Sequence, residues 1–174
     1  MKTVFAWQKM ISFVLVLLAD SIVLQQHVFG QSQEPAAFVT NNVGDSITSF
    51  TINLDGSLNF VGVTPSGEGP QTITLTPDGR YLAVGHGTIS STFEELRIFA
   101  VHADATLTEV AAELVPDSPL NAKWLNNQIL AVTETSLSGA NQVITYRFDP
   151  DAQTITEVDS EFTGDFNTSI AVTD

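Results

Sequence analysis

The chain has 174 residues, 43% of them hydrophobic, with no cysteine and a formal net charge of −14. That length and apolar content allow a real core in one domain or at most two, and without cysteine its stability must come from packing instead of disulfides. Twenty acids against six bases repel nucleic acid and anionic membranes, which excludes both as partners and suits a soluble extracellular surface.

Residues 1–30 read as a signal peptide. Lys2 and Lys9 supply positive charge, Ile11 to Ala19 is an apolar run of nine, and Val28-Phe29-Gly30 precedes a cut ahead of Gln31. The run is too short for a membrane helix, which needs about 20 residues, so no membrane span is expected after signal removal and the mature chain is expected to be secreted or periplasmic. Removal leaves 19 acids and four bases, Arg80, Arg97, Lys123 and Arg147.

From Phe38 onward the chain is a series of short runs rich in Val, Ile, Thr and Phe, each bounded by Gly, Pro, Asp or Asn: Phe38 to Asn41, Ile47 to Leu54, Leu58 to Val63, Thr72 to Thr76, Tyr81 to Val84. This is the pattern of consecutive antiparallel strands joined by tight turns. It then repeats. Ile47-Thr48-Ser49-Phe50-Thr51-Ile52 answers to Leu96-Arg97-Ile98-Phe99-Ala100-Val101 and to Val143-Ile144-Thr145-Tyr146-Arg147-Phe148, at offsets of 49 and 47. Leu58 to Val61 matches Leu107 to Val110 and Ile155 to Val158; Thr72 to Leu75 matches Asn121 to Trp124 and Ser169 to Val172.

A period in the forties with four strands per repeat is the signature of β-propeller blades. The expected fold is all-β, an incomplete β-propeller over residues 31–174 with four-stranded antiparallel blades at roughly 37–80, 81–128 and 129–174. In this reading Phe38-Val39-Thr40 and its equivalents are the innermost strands, and Pro77-Asp78-Gly79-Arg80 links the outer strand of one blade to the inner strand of the next. Asp55-Gly56, Asp104-Ala105 and Asp149 to Ala152 are hairpin turns, and Phe99, Trp124 and Tyr146 are blade-to-blade core. About three blades fall short of the four to eight that close a propeller. The expectation is therefore the N-terminal part of a longer protein or a product that assembles with copies of itself, and open blade faces predict self-association.

His86 and Glu134 follow equivalent strands in successive repeats and are the catalytic candidates, since an imidazole and a carboxylate at one end of the channel can activate water. Asn41 and Arg80 are the candidate substrate-binding residues, the guanidinium offering bidentate contacts. Asp149 and Asp151 have the alternate spacing of a calcium loop but lack its glycine and its final glutamate, so they read as a turn; no metal site and no cofactor are expected. Asn167-Thr168-Ser169 fits an N-glycosylation acceptor.

Phe38-Val39-Thr40-Asn41, Gly69-Pro70 and Thr74-Leu75-Thr76-Pro77-Asp78-Gly79-Arg80-Tyr81-Leu82-Ala83-Val84 together resemble a known family. It is that of the seven-bladed propeller lactonases, typified by 6-phosphogluconolactonase and related to the Tyr-Val-Thr-Asn repeat proteins, with Phe38 here in place of the tyrosine. The resemblance implies hydrolysis of a sugar lactone by water activated beside a carboxylate or histidine in the channel, with arginines holding an acidic substrate. Four bases among 19 acids favour a neutral, gluconolactone-like substrate. The same repeat also serves non-enzymatic extracellular propellers that bind carbohydrate or protein, and an inactive truncated fragment is a further alternative.

Overall fold

A computed structural model describes residues 35–87, 94–136, 141–164 and 169–173. The signal segment 1–30, the middle of the 87–95 and 135–141 loops, and Asn167-Thr168 of the glycosylation motif lie outside the described residues. Eleven strands are present among the described residues: β1 (Ala36–Asn41), β2 (Ser46–Ile52), β3 (Leu58–Pro65), β4 (Pro70–Leu75), β5 (Tyr81–His86), β6 (Glu95–Val101), β7 (Leu107–Leu114), β8 (Ser118–Trp124), β9 (Ile129–Thr135), β10 (Asn141–Asp149) and β11 (Thr154–Gly164). They form three antiparallel sheets in the orders β1-β2-β3, β4-β5-β6-β7 and β8-β9-β10-β11, the all-β arrangement of a partial propeller. No helix among the described residues is long and apolar enough to cross a membrane.

The β2–β3, β6–β7 and β10–β11 hairpins share one device. Asp55 Oδ1 accepts from the Ser57 amide at 2.9 Å, Asp104 Oδ1 from the Thr106 amide at 3.1 Å, and Asp149 Oδ1 from the Asp151 and Ala152 amides at 2.9 and 3.1 Å. Each turn also needs a left-handed residue, Gly56, Ala105 and Gln153 in turn. Asp149 is thus occupied in its turn, and the described residues hold no cluster of three metal-ligating groups.

The place of two strands differs from the sequence reading. Pro77 to Arg80 is a hairpin inside the second sheet: the Thr76 amide donates to the Tyr81 carbonyl at 2.9 Å and Leu75 lies opposite Leu82. A turn that closes so tightly returns the chain along the strand it has just left, so β4 begins a sheet instead of finishing one. The passages between sheets are Ser66 to Gly69 and Val115 to Asp117. The innermost position therefore belongs to β4 and β8, which pack on one another and are tied by the Trp124 indole donating to the Thr74 carbonyl at 3.2 Å. Phe38-Val39-Thr40 occupies the second position, the place held by β5 and β9.

The sheets pack face to face around two apolar clusters. Ile47, Leu82, Val84, Phe99 and Leu107 fill the space between the first and second sheets. A larger cluster containing Ala83, Ile98, Leu130, Tyr146 and Phe148 joins the second to the third, with the Tyr81 and Trp124 rings edge-on to Phe148 at 4.9 and 6.4 Å. Phe99, Trp124 and Tyr146 are core residues, as expected. Gly85 is what lets β5 approach β8: a Cβ there would lie 2.6 Å from Thr72 Cγ2 and 2.9 Å from Pro119 Cγ. Gly85→Ala is expected to lower stability by about 1–3 kcal/mol, read from the midpoint of urea unfolding; an unchanged midpoint would mean that the third sheet can retreat without cost.

Candidate functional site

Strand register places three of the four candidate residues at one level. Asn41 pairs with Ser46, His86 with Glu95 and Glu134 with Gln142, each the last pairing before the loop that follows. Because side chains alternate along a strand, these three point the same way in their sheets: His86 toward the first sheet, Glu134 toward the second, and Asn41 toward the open side of the first. Arg80 is at the other end of β5, six residues from His86 or about 20 Å at strand rise. There its Nε contacts Asp78 Oδ2 at 2.6 Å and its guanidinium lies 5.8 Å from the Tyr81 ring, braced on its own turn.

Asn41 braces the first hairpin, its amide donating to Thr48 Oγ1 at 2.8 Å and Ser46 Oγ at 3.2 Å. His86 is 1% exposed; neither ring nitrogen makes a hydrogen bond of good geometry, though the Glu95 backbone lies near enough to favour the charged ring. Burial, helped by the Arg97 charge, lowers its pKa to about 4, so the ring is neutral at pH 7. The imidazole lines a cavity of about 270 Å³ with Glu68, Glu95 and Arg97. Arg97 stands opposite Val84 on the same face; its Nη2 meets Glu95 Oε2 at 2.6 Å and its Nη1 meets Glu109 Oε2 at 2.8 Å. Gly67, at φ 106°, passes directly over it: a Cβ would lie 2.9 Å from the guanidinium carbon.

Glu134 is fully buried between the second and third sheets. Tyr146 donates its hydroxyl to Oε1 at 2.6 Å and the Asp117 amide donates to Oε2 at 3.2 Å. Burial raises the carboxyl to about 7, against the pull of those hydrogen bonds, and burial together with the glutamate pushes the Tyr146 phenol well above its usual value. With both nitrogens of His86 unpartnered, no hydrogen bond joins it to Glu134. The two occupy equivalent places in different intersheet spaces and act separately.

Arg97 was not among the candidates drawn from the sequence. The legible signal was Glu95-Leu96-Arg97: two residues apart on a strand share a face, so acid and base were bound to meet. Chemically, the His86 cavity offers a neutral imidazole able to take a proton, a guanidinium fixed and neutralised by two carboxylates, and Glu68 as a further acceptor.

The family described as "Lactonase, 7-bladed beta-propeller" matches residues 28–124, more than half of the chain. Among solved structures, similarity extends to a candidate 6-phosphogluconolactonase from Bacteroides fragilis, with 22% identity and a TM-score of 0.64 over 76% of this chain and 37% of that one. A second candidate 6-phosphogluconolactonase, from Bacteroides uniformis, has 18% identity and a TM-score of 0.65, covering 77% of this chain and 39% of that one. The periplasmic gluconolactonase of Pseudomonas aeruginosa has 20% identity and a TM-score of 0.58, covering 74% and 37% respectively. The chain thus spans less than two thirds of the length of each, and at these identities the likeness speaks for the fold. No curated protein matches the sequence. On the family match and the repeated four-stranded sheets, the chain belongs to the seven-bladed β-propeller lactonase family.

Proposed function

We propose that the protein carrying this chain hydrolyses an uncharged sugar lactone, with His86 as the general base. The observation that supports this most is the buried, unpartnered, neutral imidazole of His86 facing the 270 Å³ cavity. In the reaction a water oxygen bonds to the lactone carbonyl carbon while a ring nitrogen of His86 takes the water proton. The tetrahedral adduct then collapses, the ring C–O bond breaks, and the imidazolium returns its proton to the departing alkoxide, giving the open hydroxy acid. A pKa of about 4 leaves the imidazole unprotonated at neutral pH, the state a general base requires.

The cavity's one cation is satisfied by Glu95 and Glu109, and Glu68 adds a further negative charge at the wall. A phosphorylated sugar would meet net repulsion there, which supports a gluconolactone-like substrate. The same proposal places the protein outside the cytoplasm, on the strength of the charged and apolar pattern of residues 1–30; a native mass beginning at Gln31 would bear this out.

The test is hydrolysis of glucono-1,5-lactone followed in a pH-stat, with its 6-phosphate as competitor substrate. The wild type should exceed the spontaneous rate and prefer the neutral lactone, and His86→Asn should lose about 10²-fold or more, the usual contribution of a positioned base. A folded wild type no faster than buffer would end the enzymatic reading, and an active His86→Asn would remove His86 from it.

A further inference from the structure

The passage from the first sheet to the second differs from the passage to the third in what holds it and in what it carries. Ser66 to Gly69 corresponds residue by residue to Val115 to Ser118, at the repeat offset of 49. Both open alike, the Ser66 amide donating to the Asp45 carbonyl at 3.0 Å and the Val115 amide to the Glu94 carbonyl at 3.0 Å. They close differently. Glu134 holds the later passage through the Asp117 amide. In the earlier one His86 stands in Glu134's place, and the passage is held from the first sheet, the Gly69 amide donating to Asp45 Oδ1 at 3.0 Å. Asp45 thus grips the passage at both ends, with its carbonyl at Ser66 and its carboxylate at Gly69.

The gripped backbone is one that few side chains allow. Gly67 and Gly69 have φ of 106° and 61°, and Asp45 itself has φ 49°. Where the later passage has Pro116, Gly67 lies against the Arg97 guanidinium with no room for a Cβ, and where the third sheet has Ile144 the second has Arg97. The glycine and the arginine belong together. Glu68, between the two glycines, is thereby carried to the wall of the His86 cavity, where it is exposed and, among the described residues, forms no hydrogen bond or ion pair. Glu95 and Glu109 are both occupied with Arg97. Glu68 is the carboxylate left for a ligand.

Given the lactone-site reading above, on which this rests, we propose that Glu68 sets the selectivity of the His86 cavity against phosphorylated sugars, and that Asp45 is the residue that positions it. A neutral sugar donates a hydroxyl hydrogen bond to the free carboxylate, a charge-assisted contact. A phosphate at the same wall meets a like charge with no free cation behind it, since two carboxylates hold the Arg97 guanidinium. Asp45 does not line the cavity and acts through the passage alone.

The test is the ratio of kcat/KM for glucono-1,5-lactone to that for its 6-phosphate, measured at about 0.01 M salt. Removing a unit charge about 8 Å from a phosphate dianion in water changes such a ratio about fivefold, so Glu68→Gln should cut the preference for the neutral lactone about fivefold and Glu68→Lys about 25-fold. In about 1 M salt, where screening sets in beyond about 3 Å, both effects should vanish, which a loss of packing would not do. Asp45→Gly, which adopts positive φ freely but offers no acceptor, should lower the ratio nearly as far as Glu68→Gln with unchanged circular dichroism; Asp45→Asn, which keeps the oxygen, should hold the wild-type ratio. Both lose the same charge, so a difference between them reports the acceptor. Binding of D-glucose and D-glucose 6-phosphate, followed by nuclear magnetic resonance, separates this inference from the hydrolytic one. A wild type that prefers glucose yet hydrolyses nothing ends the lactonase reading alone, and Glu68→Gln should then narrow the binding preference by the same factor. A preference unmoved by Glu68→Gln and Glu68→Lys, an equal effect at high salt, equal ratios for the two Asp45 variants, or a wild type that binds neither sugar or prefers the phosphate would each overturn the inference.

Discussion

Lowering the pH from 6.5 to 4.5 is expected to leave the unfolding free energy of the wild type nearly constant, while His86→Asn gains and Glu134→Gln loses on the order of 2–3 kcal/mol over the same interval. Glu134 has a folded pKa of about 7 against an ordinary 4.5, so between those values the folded state holds a proton that the unfolded state has released, and stability falls as pH rises. His86 has a folded pKa of about 4 against an ordinary 6.5, so the unfolded state holds the extra proton, and stability falls as pH drops through that range. The windows overlap almost completely and the slopes are opposite. Each becomes visible only when the other group is removed.

The turn aspartates Asp55 and Asp104 are held below their ordinary 3.8 chiefly by Ser57 and Thr106, so their stabilisation is lost only at lower pH, and stopping at 4.5 keeps them largely out of the measurement. Urea unfolding at fixed ionic strength, followed by circular dichroism at pH 4.5, 5.5 and 6.5, gives all three profiles. Parallel profiles for the two variants would mean that one of the two groups is not buried as described.

The contrast between these groups also marks the limit of sequence reading. Repeat length, strand type and hairpin turns were legible because each rests on residues close in sequence: an aspartate that accepts from amides two residues on, a glycine at positive φ, alternation along a strand. Pro77 to Arg80 was legible as a turn but not as a hairpin. A passage between sheets is equally short and equally rich in Gly and Asp, and only the pairing of Leu75 with Leu82 decides between them. His86 and Glu134 were legible as equivalent positions but not as buried ones, since the residues that bury them come from a different sheet in each case. Arg80 and Arg97 look alike in sequence. Arg97 reaches the cavity because β6 pairs it opposite Val84 on the face that His86 shares, whereas the turn holding Arg80 is at the far end of the same strand.

Phe99→Ala is expected to cost about 3–5 kcal/mol, the usual penalty for emptying a large aromatic site in a core, while Phe50→Ala should cost about 1 kcal/mol in the single chain. The two phenylalanines are counterparts: each follows a register shift in its hairpin, at Ser49/Phe50 and Ile98/Phe99, where the facing strand carries the extra residue, Val61 and Val110. Propensity, strand position and the ring removed are the same, so only the neighbouring sheet differs. Phe99 is fully buried in the cluster with Ile47, Leu82, Val84 and Leu107. Phe50 is half-buried on the open side of the first sheet, with Phe60 edge-on at 6.1 Å. Urea unfolding of dilute protein, where association is negligible, should separate the two variants by several kcal/mol. Equal losses would mean that the first sheet is covered within the chain itself.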